Sequence, residues 1–257
     1  MGTYSCIAVE RDEAVVTITL DQPEKRNALS RTLLTELLAA LTEVGESDAT
    51  GVVLAANGPV FSAGHSFADM AGADLAAMRS LLVLCTDVMT TIQSLPQVVI
   101  ARVHALATAA GCQLVASCDL AIAADSAGFA VPGGKGGWFC TTPMVAVGRS
   151  VGRKHALEMA LTGDAIDAAT AAQWGLINRA VPDDELDAAV ADLLARATRG
   201  SASSKALGKH AFYTQIGMDQ PQAYAYAIEV MASASQTADA REGVAAFLEK
   251  RHPEFGG

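Results

Sequence analysis

Gly51-Val52-Val53-Leu54-Ala55-Ala56 is a short apolar run without a charge, and two more follow at Val98-Val99-Ile100-Ala101 and Leu120-Ala121-Ile122-Ala123. Continuous runs of this length suit strands buried on both faces, as in parallel sheets whose strands are separated by helices. Upstream, Val16-Thr17-Ile18-Thr19-Leu20 alternates as a half-buried strand does, and Asp21-Gln22-Pro23 breaks it. From Ser30, a residue type suited to an N-cap, Leu33, Leu34, Leu37, Leu38, Leu41 and Val44 fall on one helical face. The order strand, helix, strand, loop, helix, strand, helix, strand predicts an α/β protein.

Beyond about residue 145 the pattern turns helical. Helices are predicted over Lys154–Leu161 ending near Gly163, Ala168–Trp174 closed by Gly175, and Glu185–Thr198. Gly200-Ser201-Ala202-Ser203-Ser204 reads as a linker, followed by helices over Gln222–Ser235 and Ala238–Lys250. The division expected is a core over residues 1–200 and a helical oligomerisation region over 201–257.

The chain has 257 residues, enough for a sizeable core, and 51% hydrophobic against 18% charged residues excludes a disordered chain. A net charge of −10 argues against nucleic acid as the main partner. Five widely spaced cysteines without a CxxC pair point to reduced, buried thiols and a cytoplasmic protein, with no metal site. Val103–Cys118, the longest charge-free stretch considered, is too short and too polar to span a bilayer, so no membrane insertion is expected.

Three motifs carry candidate chemistry. Gly148-Arg149-Ser150-Val151-Gly152 matches a nucleophile elbow, which would need Met144–Val147 as a strand and His210 or His252 as base. Gly133-Gly134-Lys135-Gly136-Gly137 lacks the spacing of a phosphate-binding P-loop and reads as a flexible glycine loop. Phe61-Ser62-Ala63-Gly64-His65-Ser66-Phe67-Ala68-Asp69-Met70 follows a strand, and Ala107-Thr108-Ala109-Ala110-Gly111-Cys112-Gln113-Leu114 opens a helix. A loop amide and a helix N-terminus together can hold a developing oxyanion.

Those last two segments sit in an ordered set. Before them runs Asp21-Gln22-Pro23-Glu24-Lys25-Arg26-Asn27-Ala28-Leu29. After them come Ser117-Cys118-Asp119, Leu157-Glu158-Met159-Ala160-Leu161-Thr162-Gly163, Ala171-Ala172-Gln173-Trp174-Gly175-Leu176-Ile177-Asn178 and Phe247-Leu248-Glu249-Lys250-Arg251. In this order, over nearly the whole chain, they resemble the enoyl-CoA hydratase/isomerase (crotonase) superfamily. The resemblance implies a spiral of ββα turns and a C-terminal helical region that assembles a homotrimer or a hexamer (a dimer of trimers). It implies an acyl-CoA thioester as ligand, with no further cofactor. By motif position the thioester oxygen would lie between the backbone amides of His65 and Ala110. Lys25, Arg26, Ala28, Ala63, Ser66, Phe67 and Pro132 match substrate-contacting positions, and Phe247 and Lys250 match positions that reach a neighbouring subunit's CoA.

The departure from the family lies at its two glutamates. Their positions hold Gln113 and Gly133, and no Asp or Glu occurs from Ser126 through Leu157. Glutamine cannot take a proton at neutral pH, and losing a positioned acid or base costs about 10²–10⁴-fold. Phe139-Cys140-Thr141-Thr142-Pro143 resembles a divergent subgroup without those acids. Restoring both as Gln113→Glu with Gly133→Glu is expected to raise hydration. Cys112 and Cys140 are expected to be structural thiols. The sequence therefore points to an acyl-CoA-binding member that polarises the thioester carbonyl in fatty-acid or acyl-CoA metabolism. A non-catalytic acyl-CoA-binding or regulatory protein is the alternative, and a serine hydrolase using Ser150 a distant one.

Overall fold

The structure, a computed structural model, describes Gly2 and residues 4–256. The chain opens with an antiparallel hairpin of β1 (Ile7–Asp12) and β2 (Val15–Leu20), turned at Glu13 with φ 50. Then follow α1 (Arg31–Gly45), β3 (Gly51–Ala56), α2 (Phe67–Met70), α3 (Leu75–Ser94), β4 (Val98–Val103), β5 (Ala107–Thr108), α4 (Ala110–Ser117), β6 (Leu120–Ala124) and β7 (Gly128–Ala130). The second half comprises α5 (Pro143–Ser150), α6 (Arg153–Thr162), β8 (Ile166–Asp167), α7 (Ala168–Trp174), β9 (Arg179–Val181), α8 (Leu186–Thr198), α9 (Ala202–Gln215), α10 (Gln220–Ala234) and α11 (Ala238–Glu249).

A six-stranded sheet has the order β1-β2-β3-β4-β6-β9, parallel from β2 onward, and a three-stranded sheet the order β5-β7-β8. Successive turns drop one strand into each sheet before a helix closes them: β4 and β5 precede α4, and β6 and β7 precede α5. This is the crotonase spiral. The apolar runs are continuous because the central strands have a core on each side. Val99, Ala101, Val103, Ala121 and Ala123 point into the main core, while Ile100, Ile122 and Ala124 pack with Leu186, Val190 and Leu194 of α8.

Local chemistry sets the helix ends. Ser30 Oγ accepts from Leu33 N at 3.2 Å to cap α1, and Gly163 and Gly175 close α6 and α7 in the left-handed conformation. Helix α3 is long and apolar enough to cross a membrane, with a mean hydropathy of 1.5. The sequence reading, taken up with Val103–Cys118, passed over it. Leu81, Cys85, Val88, Met89 and Ile92 bury one of its faces in the main core against α1.

Three further expectations need correction. Met144–Val147 is not a strand but lies within α5. The stretch read as a linker is mostly helix: Ser201 Oγ accepts from Ser204 N at 3.0 Å, capping α9, which the sequence reading did not place. The start of α8 moves to Leu186, because Asp183–Glu185 forms a separate 3-10 turn.

Helix α9 is anchored to the spiral by a buried polar cluster. Lys209 Nζ lies 2.7 Å from Asp119 Oδ2 and donates to the carbonyls of Ile92 at 2.9 Å and Gln97 at 2.8 Å. Tyr213 OH donates to Asp119 Oδ1 at 2.9 Å, and Val99 N donates to Oδ2 at 2.7 Å. Every ammonium proton has an acceptor, which offsets the cost of taking the charge out of water.

Candidate active site

The 61–65 segment is held on both sides by main chain. Leu29 N donates to Gly64 O at 2.8 Å and Ala63 N to Arg26 O at 3.0 Å, while Phe61 N reaches Leu106 O and Thr108 N reaches Ser62 O, both at 2.9 Å. Beneath it, buried Asn27 ties two loops together. Its Oδ1 accepts from Gln22 N at 2.9 Å, and its Nδ2 donates to Asn57 O at 2.7 Å and Val60 O at 3.1 Å. Ser62 Oγ donates to Asn27 O at 2.7 Å.

Helix α4 meets this segment almost without clearance. A Cβ on Gly111 would lie 2.5 Å from Ser62 O, and one on Gly64 would lie 2.9 Å from Ala109 Cβ and 3.1 Å from Ala110 N. Gly64 also has φ +82, a conformation that disfavours any side chain. Ala109, ahead of the helix, is itself held at φ 52 and ψ −118 while its N–H donates to Ala130 O at 2.8 Å. The two glycines thus bring the chain at Gly64-His65 alongside the first turn of α4. Among the described residues neither the His65 nor the Ala110 backbone N–H donates to a protein acceptor. Both remain free for a ligand, and Ala110 N adds the positive end of a helix.

These amides border a cavity of about 710 Å³, a size that suits a small-molecule ligand. Ala63, His65 and Ala110 form one part of its wall, Pro132, Gly133 and Phe139 another, and Phe67, Met70, Leu82 and Trp138 the rest of its apolar surface. No carboxylate is among its lining residues. Burial pushes the His65 imidazole below its ordinary value, so the ring is neutral at pH 7, and both ring nitrogens are enclosed without a hydrogen-bond partner. Cys140 borders the cavity, accepts from Gly133 N at 3.3 Å, and has its thiol raised by burial. Cys112 is fully buried, its thiol pushed up to about 12. Neither environment favours a thiolate.

Gln113 is buried in α4, does not line the cavity, and leaves Oε1 without a partner. Gly133 does line it, in a 3-10 turn at Pro132–Gly134 rather than in a loose loop. A Cβ there would lie 2.2 Å from Trp138 O and 2.7 Å from Cys140 Sγ. The expected double restoration is therefore not open to this backbone, for a steric reason.

Among the residues singled out from sequence, Ala63, His65, Phe67, Ala110, Pro132 and Gly133 converge on the cavity. Lys25 and Arg26 lie exposed at the end of the 3-10 turn Pro23–Lys25, Ala28 is half-buried, and Ser66 caps α2; none borders the cavity. Phe247 is 82% exposed on α11, and Lys250 caps that helix with φ 55. Ser150 ends α5 with its Oγ donating to Ala146 O at 3.1 Å, so the strained strand-to-helix elbow of a serine hydrolase is absent there. Sequence reasoning missed Met70, Leu82 and Trp138. For Leu82 a signal existed: apolar residues between Leu75 and Leu84 exceed what one helical face can bury.

The same architecture recurs in solved proteins. A crystal structure of an enoyl-CoA hydratase from Mycobacterium smegmatis superposes with a TM-score of 0.94 at 46% identity, over 97% of this chain and 98% of that one. Human enoyl Coenzyme A hydratase domain-containing protein 3 superposes with a TM-score of 0.93 at 38% identity, over 97% and 100%. In sequence, the mitochondrial enoyl-CoA hydratase domain-containing protein 3 of Rattus norvegicus is 40% identical over 248 residues, 96% of this chain and 83% of the relative. The enoyl-CoA hydratase/isomerase family profile matches residues 10–257, which takes in both amide-bearing segments and the C-terminal helices, and the chain belongs to that family.

Proposed function

We propose that the cavity binds an acyl-CoA thioester and polarises its carbonyl between the amides of His65 and Ala110. The observation carrying this reading is the pair of backbone donors without protein acceptors, brought together by Gly64 and Gly111 beside an apolar cavity. Donors fixed before the ligand arrives need no reorganisation as negative charge develops on the thioester oxygen. Removing one such donor elsewhere costs about 2.7–4 kcal/mol. Calorimetry with a series of acyl-CoA esters tests the reading: a complex is expected with at least part of the series, and no binding at any chain length refutes it.

Hydration through two carboxylates is not the chemistry of this cavity, because no carboxylate lines it. The same observation favours the second reading, an acyl-CoA-binding protein that does not turn its ligand over. Crotonyl-CoA separates the two: slow but saturable hydration supports an enzyme, whereas binding without turnover supports the second reading.

The C-terminal helices carry the proposed assembly. Phe212, Ile216, Ile228, Met231, Phe247 and Leu248 are each more than half exposed on α9, α10 and α11. A trimer, or a hexamer built from two, would cover such surfaces and carry Phe247 and Lys250 toward a neighbouring copy's ligand, while Lys25 and Arg26 meet the nucleotide phosphates.

A further inference from the structure

Resting on the acyl-CoA reading above, we infer that Leu82 and Trp138 form a passage out of the thioester cavity. Beyond it, a groove along α3 receives the distal methylenes of a long acyl chain.

A second depression of about 640 Å³ lies against the cavity, and Leu82 and Trp138 belong to the walls of both. On the far side it continues over Leu75, Met78 and Val83, with Arg79 and Asp87 as charged members of its rim. Helix α3 therefore has two apolar stripes. One is buried in the core, and the other, running through Leu75, Met78 and Leu82 at helical spacing, remains open. Folding consumes only the first. Leu75 is 73% exposed, Val83 52% and Trp138 45%. A contiguous open apolar surface of this kind marks a binding surface, and its continuity with the cavity identifies the occupant as the part of the ligand the cavity does not enclose.

Trp138 has room to adapt. Its N–H is anchored to Gly133 O at 2.9 Å, but Gly137 just before it has φ +84 and nothing within 4 Å of where a Cβ would be. The backbone fixes the root of the side chain, and the indole faces the boundary between the two spaces.

The test uses the full-length protein carrying Trp174→Phe, which leaves Trp138 as the remaining one of two tryptophans. Butanoyl-, octanoyl- and dodecanoyl-CoA are titrated below their micelle concentrations. Affinity is expected to keep rising from octanoyl to dodecanoyl, by up to a factor of about four per buried methylene. Trp138 emission should shift to shorter wavelength with dodecanoyl-CoA only. Val83→Asp should lower the dodecanoyl-to-butanoyl affinity ratio at least tenfold, and Thr86→Leu should raise it. If butanoyl-CoA binds but the ratio ignores both substitutions, the groove is refuted and the thioester reading stands. If none of the three esters binds, both are refuted. An emission shift that follows protein concentration instead of ligand would make the groove a contact between copies and overturn the inference.

Discussion

Lys209→Met should destabilise the protein far more than the loss of a surface charge. The ammonium and the Asp119 carboxylate are only 10% and 14% exposed and lie 2.7 Å apart. Removing the lysine strands three acceptors at once: Asp119 Oδ2 and the carbonyls of Ile92 and Gln97. Breaking a buried pair from one side costs about 3–5 kcal/mol, a large share of the roughly 5–15 kcal/mol that holds a typical domain folded. For a chain of this size that lowers Tm by about 6–20 °C. Urea and thermal unfolding at one fixed protein concentration, which keeps any assembly contribution constant, give the number. Adding Asp119→Asn should recover part of the loss, because the stranded charge is gone while the two carbonyls still lack their donor. A loss below 1 kcal/mol for Lys209→Met would refute the claim that this cluster fastens α9 to the spiral. The same cluster makes truncation after Lys205 a poor probe of assembly, since it deletes Lys209 and Tyr213 and damages the core directly.

Assembly is better probed by the pair Met231→Glu and Phe247→Glu at side chains 78% and 82% exposed, which should yield folded monomer by light scattering. An unchanged oligomer would place the interface elsewhere. The His65 imidazole is held neutral by burial, so the unfolded chain takes up its proton first as pH falls below the ordinary 6.5. Its contribution is thus complete above that value and shrinks as pH drops toward the lowered folded-state pKa. Urea midpoints between pH 5 and 8 should fall less steeply in His65→Gln than in the parent, and parallel curves would contradict this. Gly133→Glu should unsettle the 132–140 segment, lowering Tm without restoring hydration, because of the 2.2 Å approach to Trp138 O. A well-folded, active variant would show that the segment yields. Ser150→Ala should leave acyl-CoA binding unchanged, and a fluorophosphonate probe should leave Ser150 unlabelled; stoichiometric labelling would reopen the hydrolase reading.

The parallel strands were legible because each carries its burial on its face: Ile100 and Ile122 serve one core and Val99 and Ala121 the other, leaving no polar position to interrupt the run. Helix ends were legible at Ser30, Gly163 and Gly175, where the local chemistry admits few residues. The edge strand β1 was not, since Glu10, Arg11 and Asp12 face solvent and break the pattern. Strands β5 and β8 have two residues each, too few for any periodicity. Helix α9 was hidden by its serine-rich first turn. The two amide-bearing segments could be found from motif order. Their distance from each other could not, because it depends on the missing side chains of Gly64 and Gly111. Leu82 and Trp138 meet across the fold and have no common sequence signal, and the same holds for Asp119 and Tyr213.

The central claim is that two backbone amides polarise a thioester carbonyl, and the carbonyl reports this itself. Isotope-edited infrared spectroscopy of an acyl-CoA labelled with 13C at the thioester carbon would follow its stretch free and bound. The account predicts a shift to lower frequency on binding to the unaltered protein. It also predicts a smaller shift in Gly64→Ala, where the new Cβ would lie 3.1 Å from Ala110 N and disturb the paired donors. A bound ester whose carbonyl stretch matches that of the free ester would contradict the account, whatever its affinity.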